Sequence, residues 1–230
     1  LSRIKIRSFK RKDTMQRLPY KNRHLQKKKL DVKISVIVCS HKGDFIYRFV
    51  DSVKKSIGVS FEIIVTSSDP KLWLDGIPGC LVIKGPPMPA DKRNSASYHA
   101  SGKYIAFFDD DVEVDPNCLK LMADFLDDDP WTAMVYGKIY NMEHRNRFDE
   151  AGGFLTSSGF IWSRAGQNDV DTGQFDEPIQ ILAGKSASCM VRKHPFMDVH
   201  GFDISFGILG EETDLSWRLW LNNKKVYYLP

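Results

Sequence analysis

The stretch Lys103-Tyr-Ile-Ala-Phe-Phe-Asp-Asp-Asp111 decides the fold. A short apolar run closed by carboxylates predicts a buried strand. Working outward, we predict further strands at 34–39, 61–66, 81–84, 132–139, 187–192 and 225–229, and helices at 44–57, 90–101, 116–127 and 211–222. Strands that alternate with helices in this way predict an α/β fold with a mostly parallel, doubly wound central sheet and helices on both faces.

Charge divides the chain into two parts. Residues 1–30 hold 12 of the 33 basic residues and one of the 29 acidic residues, so the other 200 residues hold 21 basic and 28 acidic groups. We predict a basic N-terminal arm over 1–30 and a mildly acidic domain over 31–230. The arm is expected to be solvated or to contact an anionic membrane surface. The acidic body argues against a nucleic-acid partner.

Composition excludes several classes of protein. The 230 residues are 42% hydrophobic and 27% charged, which is typical of a folded globular protein. We find no apolar run near the ~20 residues that span a bilayer, and the four cysteines form no CxxC pair that would indicate a zinc site. A cytoplasmic protein with reduced thiols, at most peripheral at the membrane face, is therefore expected. Residues 140–183 are predicted to be a long loop with one strand near 159–163.

Polar clusters follow three of the predicted strands. They are Ser40 with the loop 41–43, Ser67-Ser68-Asp69, and Asp109-Asp110-Asp111. Ligands of open parallel sheets bind outside the carboxyl ends of the strands. We therefore expect these three clusters to lie at one edge and to form a site.

The aspartates at 109–111 are the strongest candidates for metal ligands. Like charges beside an apolar core repel one another unless a cation neutralises them, and oxygen ligands suit Mg²⁺ and Mn²⁺. A solvated acidic turn is the alternative. The similar run Asp127–Asp129 follows an amphipathic helix and precedes Pro130, so we interpret it as an exposed helix terminus without chemistry.

Two further segments carry unusual charge. Glu211, Glu212 and Asp214 open a predicted helix after Gly210, where acids also favour the helix dipole. A carboxylate held there by backbone amides is expected to be ionised, as a general base must be. Lys92 and Arg93 open another helix, where cations are unfavourable. An anionic ligand or a salt bridge to a neighbouring acid would explain them equally well.

Together these stretches resemble the family 2 glycosyltransferases of the GT-A fold, particularly bacterial rhamnosyltransferase-like members, over about residues 33–230. The resemblance rests on five segments in family order, namely Ile34–Lys42, Ala90–Asn94, Tyr104–Asp111, the block from Ser186 through Gly201-Phe202-Asp203, and Gly210–Arg218. It implies transfer of a sugar from a nucleotide-sugar donor to a hydroxyl of a saccharide or lipid-linked acceptor, with inversion, as in polysaccharide biosynthesis. Relatives usually continue beyond the position of Pro230.

The resemblance also implies roles for individual residues. Mn²⁺ or Mg²⁺ is bound by Asp111, with Asp109 and Asp110 placed to bind the donor or assist. Glu212 is the catalytic base, with Glu211 as the adjacent candidate. On the donor side, Arg93 lies against the nucleobase or diphosphate, Ser40 frames the base, and Ser67 with Asp69 stands where many relatives place an Asp.

Two alternatives remain open at this stage. A haloacid dehalogenase-type phosphatase also places Asp-x-Asp after a buried strand, although here Glu113 stands where that class expects Thr or Val. A catalytically inactive relative that binds carbohydrate or nucleotide is the non-enzymatic alternative.

Overall fold

A computed structural model describes residues 31–40, 44–166 and 168–230. The strands are β1 (Ile34–Ser40), β2 (Phe61–Ser67), β3 (Leu81–Lys84), β4 (Tyr104–Asp109), β5 (Thr132–Gly137), β6 (Ile139–Tyr140), β7 (Phe148–Glu150), β8 (Gly153–Leu155), β9 (Ile161–Ser163), β10 (Ile179–Gln180), β11 (Ser188–Arg192) and β12 (Lys225–Leu229). The helices are α1 (Asp44–Val53), α2 (Pro70–Asp75), α3 (Pro89–Ser97), α4 (Cys118–Asp128), α5 (Lys193–Asp198), α6 (Glu211–Leu221) and a 3₁₀ turn at Ile204–Phe206. The predicted basic arm lies outside the described residues.

The central sheet has eight strands in the order β10-β12-β5-β11-β4-β1-β2-β3. Strands β4, β1, β2 and β3 are parallel, as are β5 and β12. Strand β11 runs antiparallel to both of its neighbours, and β10 runs antiparallel to β12. The predicted mostly parallel sheet is confirmed.

Strand β4 shows why the sheet is covered on both faces. Its side chains alternate between two apolar cores, with Ile105 and Phe107 in one and Tyr104, Ala106 and Phe108 in the other, because successive strand residues point to opposite faces. Helices α1 and α4 pack on the second core, and α3, α5 and α6 pack on the first. Helices on both faces are therefore confirmed.

Strand register brings the predicted polar clusters to one edge. Cys39 pairs with Asp109, and Ser40 pairs with Ser67. Because β11 is antiparallel, its first residue, Ser188, lies at the same edge as the carboxyl end of β4, where it pairs with Phe108. The expected convergence of strand ends is confirmed.

Several predicted elements differ from the structure. The segment 140–183 is not a loop with one strand, because β6–β7 and β8–β9 form two small antiparallel sheets within it. Strands of two or three residues carry too little sequence pattern to predict and depend on pairing. Helix α1 ends four residues earlier than predicted, α3 also ends four residues earlier, and the short helices α2 and α5 were not predicted.

The acidic run at 127–129 does end a helix, but it is more than a solvated terminus. Asp127 accepts hydrogen bonds from Lys103 and from the Tyr104 hydroxyl. Asp129 accepts from the Trp131 backbone and the Thr132 hydroxyl. The run therefore ties α4 to β4 and β5.

The four cysteines are free thiols. Among the residues that the structure describes, no helix is both long enough and apolar enough to cross a bilayer.

Candidate active site

Arg93 joins the two acidic segments at the sheet edge. Its guanidinium donates to Asp109 Oδ1 at 2.9 Å and to Glu211 Oε1 at 2.8 Å. Arg93 is 4% exposed and Glu211 is 2% exposed, so this ion pair is buried. The structure thus places the end of β4 and the beginning of α6 against one another.

Basic residues near the start of α3 are unfavourable for the helix dipole, and hydrogen bonds to acceptors at the same sheet edge offset this effect. Lys92 is buried and donates from Nζ to the carbonyl of Ser40 at 3.2 Å. Of the two sequence explanations for Arg93, the salt bridge is confirmed. Contact of Arg93 with a nucleobase or diphosphate remains a prediction.

Glu212 is the adjacent carboxylate at the beginning of α6. Burial raises the pKa of Glu212 to about 7, and the negative charge of Glu211 adds to the rise. This differs from the sequence expectation of a carboxylate held fully ionised by backbone amides. Gly210 precedes both glutamates in the left-handed region with φ +90°, a conformation that favours glycine.

Tyr136 supports the first turn of α6 and was not found from the sequence. Its hydroxyl lies 2.9 Å from Ser216 Oγ and donates to the carbonyl of Glu212 at 3.3 Å. A Cβ at Gly184 would lie 2.9 Å from the tyrosine ring. Its place at the end of β5, on the edge that holds the site, is the signal that could have identified it.

Side chains of Asn94 and Arg218 hydrogen-bond the backbone of Gly201 and Phe202, before α6 begins, and we call these contacts the latch. Asn94 donates to the carbonyl of Phe202 at 2.8 Å and accepts from its amide at 2.9 Å. The Arg218 guanidinium donates to the carbonyl of Gly201 at 2.7 Å. The Phe202 ring lies 5.5 Å from the guanidinium carbon of Arg93. The latch therefore holds the surface on which Arg93 rests.

We expect Gly201→Ala to destabilise the protein more than a glycine-to-alanine change that introduces backbone strain alone. Gly201 has φ +67°, and a Cβ there would lie 2.5 Å from Asn94 Oδ1. Gly159→Ala is the matched control, because Gly159 has φ +84° with no atom within 4 Å of the added Cβ. Urea unfolding should show that the control loses about 1 kcal/mol of unfolding free energy and that Gly201→Ala loses at least about 1 kcal/mol more. Equal losses would contradict a role for the latch.

The aspartates after β4 provide the oxygen donors for a cation. Asp109 remains 43% exposed at its side chain despite its bond to Arg93, and Asp110 and Asp111 follow it in the turn. No preassembled group of three or more potential ligands is found among the described residues. The donor set, hard oxygens from one turn, fits Mg²⁺ or Mn²⁺ with open coordination positions.

The remaining residues predicted to bind the donor are Ser40, whose hydroxyl has no partner among the described residues, and Ser67 and Asp69, which have local hydrogen-bond partners. The Ser40 hydroxyl is buried and has no hydrogen-bond partner in the described part of the chain. Ser67 is buried, and its hydroxyl accepts a hydrogen bond from the backbone amide of Asp69. The Asp69 carboxylate in turn caps α2 by accepting a hydrogen bond from the backbone amide of Lys71. Ser67 and Asp69 are thus occupied locally, and their role toward a donor remains a prediction. Residues 41–43 lie outside the described residues.

Comparison with known proteins identifies the family. The model of glycosyl transferase family 2 matches residues 35–184, well over half of the chain. The chain belongs to this family. The assignment leaves no support for the phosphatase alternative. A search of curated proteins finds no significant match.

Solved structures share the fold of this chain. It superposes on GalNAc-T7, determined with UDP, GalNAc and Mn²⁺, with a TM-score of 0.67 at 16% identity, covering 88% of this chain and 43% of that one. It superposes on residues 1–349 of S. aureus TarS with a TM-score of 0.58 at 20% identity, covering 86% and 60%. At these identities the likeness establishes the GT-A fold alone. The chain spans less than two thirds of each of these structures.

Proposed function

We propose that this glycosyltransferase moves a sugar from a nucleotide-sugar donor to an acceptor hydroxyl in a single displacement that inverts the anomeric carbon. The observation that carries the proposal is the bridge Asp109–Arg93–Glu211, in which the Arg93–Glu211 pair is buried and Asp109 is partly exposed. It joins the strand end that offers cation ligands to the helix that offers a general base. A single displacement needs a leaving-group site and a base on opposite sides of the sugar.

Glu212 is the proposed catalytic base. Glu211 already receives the Arg93 guanidinium, so it serves to position Arg93 and the first turn of α6. Glu212 has a pKa of about 7, and general bases are most effective when their pKa lies near the working pH. Its carboxylate would take the proton of the acceptor hydroxyl as that oxygen attacks the sugar.

Asp109 and Asp111 are proposed to hold Mn²⁺ or Mg²⁺, with Asp110 beside them at the donor. When bound, the cation would stabilise negative charge on the departing diphosphate. The structure of GalNAc-T7 with UDP and Mn²⁺ supports a nucleoside diphosphate with a divalent ion as the ligand pair of this fold. Ser40 and Arg93 are proposed to complete the donor side.

We expect Asp111→Ala to abolish the metal-dependent part of donor binding. Asp111 is exposed at the end of the turn, so its loss should leave folding unchanged. Calorimetry with a panel of nucleoside diphosphates, with and without Mn²⁺, measures the effect. Asp115→Ala, at an exposed position four residues on, is the matched control. Equal Mn²⁺ enhancement in both variants would refute Asp111 as a ligand, and no nucleotide binding by the native chain would refute the proposed function.

The finer assignments are also proposals. A rhamnosyltransferase-like specificity and a place in polysaccharide biosynthesis rest on the order of the sequence segments described above. An inactive relative that only binds nucleotide is the competing outcome. It would bind nucleoside diphosphate with Mn²⁺ and neither hydrolyse nor transfer the sugar of any donor.

The basic arm over 1–30 is proposed to attract the enzyme to an anionic membrane surface. Its excess of 11 positive charges predicts binding that weakens with salt, since the attraction is screened. Sedimentation with vesicles containing phosphatidylglycerol should capture the full chain at low salt and lose it at high salt. A chain that lacks residues 1–30 should stay in the supernatant throughout. Equal capture of both chains would count against this role.

A further inference from the structure

An apolar groove of about 430 Å³ lies beside α6. One wall comes from Phe154 and Leu155 of β8 and from residues 180–182. The other wall is a single face of α6, made by residues at spacing i, i+3 and i+4, namely Trp217, Trp220 and Leu221. Among the described residues that line the groove, Gln180 alone is polar and none is charged. The groove therefore offers apolar contacts almost exclusively.

The hairpin formed by β8 and β9 extends this apolar surface beyond the groove. Trp162 of β9 stacks on Phe154, with the two ring centroids 6.5 Å apart, and Ile161 pairs with Leu155. All three residues of β9 are exposed. Two-stranded sheets are marginally stable in water unless other elements pack on them. The hairpin is therefore an element that a partner would stabilise.

The exposed apolar area is that of one side of a protein interface. It comes chiefly from large side chains that are 39–73% exposed, namely Leu155, Phe160, Trp162, Trp217, Trp220 and Leu221. We call these six residues, with the groove, the α6–hairpin face. At ~150–250 Å² for a whole large side chain, six residues exposed by about half offer roughly 450–750 Å². A standard interface buries about 800 Å² per partner, of which about 56–65% is apolar, so the face suffices for a stable contact.

The α6–hairpin face has an exposed hairpin turn beside its hollow. Residues 157–163 are all exposed, and Phe160 closes the turn by accepting a hydrogen bond from the Thr156 backbone amide at 2.8 Å. A two-fold contact needs a surface that is complementary to itself, because residue i of one copy meets residue j of the other and j meets i. A hollow beside an apolar turn meets this requirement. A flat bilayer surface would leave the hollow unfilled, and no described lining residue carries a charge for lipid headgroups.

We propose that the α6–hairpin face joins two copies of this chain in a two-fold symmetric dimer, with Phe160 of each protomer in the groove of its partner. Each hairpin then packs against the apolar face of α6 in the other copy, so that β9 and the tryptophans leave water together. The dimer does not depend on the proposed function, because none of the residues that form it is a proposed donor, metal or base residue.

The test is sedimentation velocity of the full chain at increasing concentration, in about 0.5 M NaCl so that contacts of the basic arm are screened. We expect a reversible monomer–dimer equilibrium with a Kd of about 10 μM or tighter, since interfaces of this size reach micromolar affinity or better. Phe160→Glu and Leu221→Lys should each weaken the dimer at least tenfold. The matched controls Phe45→Glu and Leu121→Lys, at exposed positions on other helices, should leave it unchanged.

Mixing the two weakened variants tests the reciprocal contact. In a dimer of Phe160→Glu with Leu221→Lys, the introduced glutamate meets the introduced lysine at one contact, and the native Phe160–Leu221 contact remains at the other. The mixture should therefore dimerise at least tenfold more tightly than either variant alone. A native chain that stays monomeric at every concentration, assembly beyond the dimer, equal weakening by the control variants, or no recovery on mixing would each overturn the proposal.

Discussion

Glu212→Gln should lower the rate of sugar transfer about 10³-fold while changing donor affinity less than twofold. The amide is close in size to the carboxylate but cannot accept the proton of the acceptor, and loss of a general base typically costs 10²–10⁴-fold. Single-turnover transfer measures the rate, and nucleotide calorimetry measures donor affinity. Glu177→Gln, at an exposed position in the segment 140–183, is the matched control and should transfer at the native rate.

The pH dependence gives an independent test of the same residue. The base acts in its ionised form, and its pKa is about 7. The native rate should therefore fall about tenfold per pH unit below 7 and level off above it. The residual rate of Glu212→Gln should not follow this profile. Native turnover by Glu212→Gln would remove Glu212 from the mechanism and leave Glu211 as the remaining candidate.

Arg93→Met should cost about 3–5 kcal/mol of unfolding free energy, because it leaves the buried Glu211 carboxylate without its partner. For a chain of this size the melting temperature should fall by about 10 °C. Arg145→Met removes an arginine from the exposed pair with Glu113 and should cost less than about 1 kcal/mol. Scanning calorimetry compares the two variants.

The double variant Arg93→Met/Glu211→Met separates charge from packing. Replacing both partners of a buried ion pair by apolar groups is often neutral or stabilising, and Asp109 is exposed enough to be solvated. We therefore expect the double variant to recover most of the stability that Arg93→Met loses. Similar melting temperatures for Arg93→Met and Arg145→Met would refute the buried bridge as a stabilising element.

Much of the fold was predictable because long elements carry strong patterns. The short apolar run at 104–108, closed by carboxylates, predicted a strand buried on both faces, and this strand pairs in parallel with β1. The small sheets within 140–183 could not be predicted, since two or three residues carry no period. The antiparallel direction of β11 could not be predicted either, because apolar residues such as Cys189 and Met190 are equally compatible with a parallel or an antiparallel buried strand.

Some features of the candidate site could also be predicted from the sequence, and others could not. The aspartates at 109–111 and the glutamates at 211–212 were predicted to line one pocket, and the structure joins one member of each group, Asp109 and Glu211, through Arg93. The sequence could not tell which glutamate is bound by Arg93, because neighbouring helix positions point about 100° apart and only the packing of α6 decides between them. Tyr136 and the bidentate bonds of Asn94 depend on contacts between elements far apart in the chain.

The direction of β11 also determines where the chain can accommodate insertions. The chain leaves β5 at Gly137 and enters the adjacent strand β11 at Ser188, after the short strand β10 has paired at the edge of the same sheet. The end of β5 and the start of β11 are therefore held about one strand spacing apart. Closing a flexible loop costs only about 0.6 kcal/mol more each time its length doubles. Insertions and exchanges between these two ends can therefore be accommodated while the strands that end at Ser40, Ser67 and Asp109 keep their register.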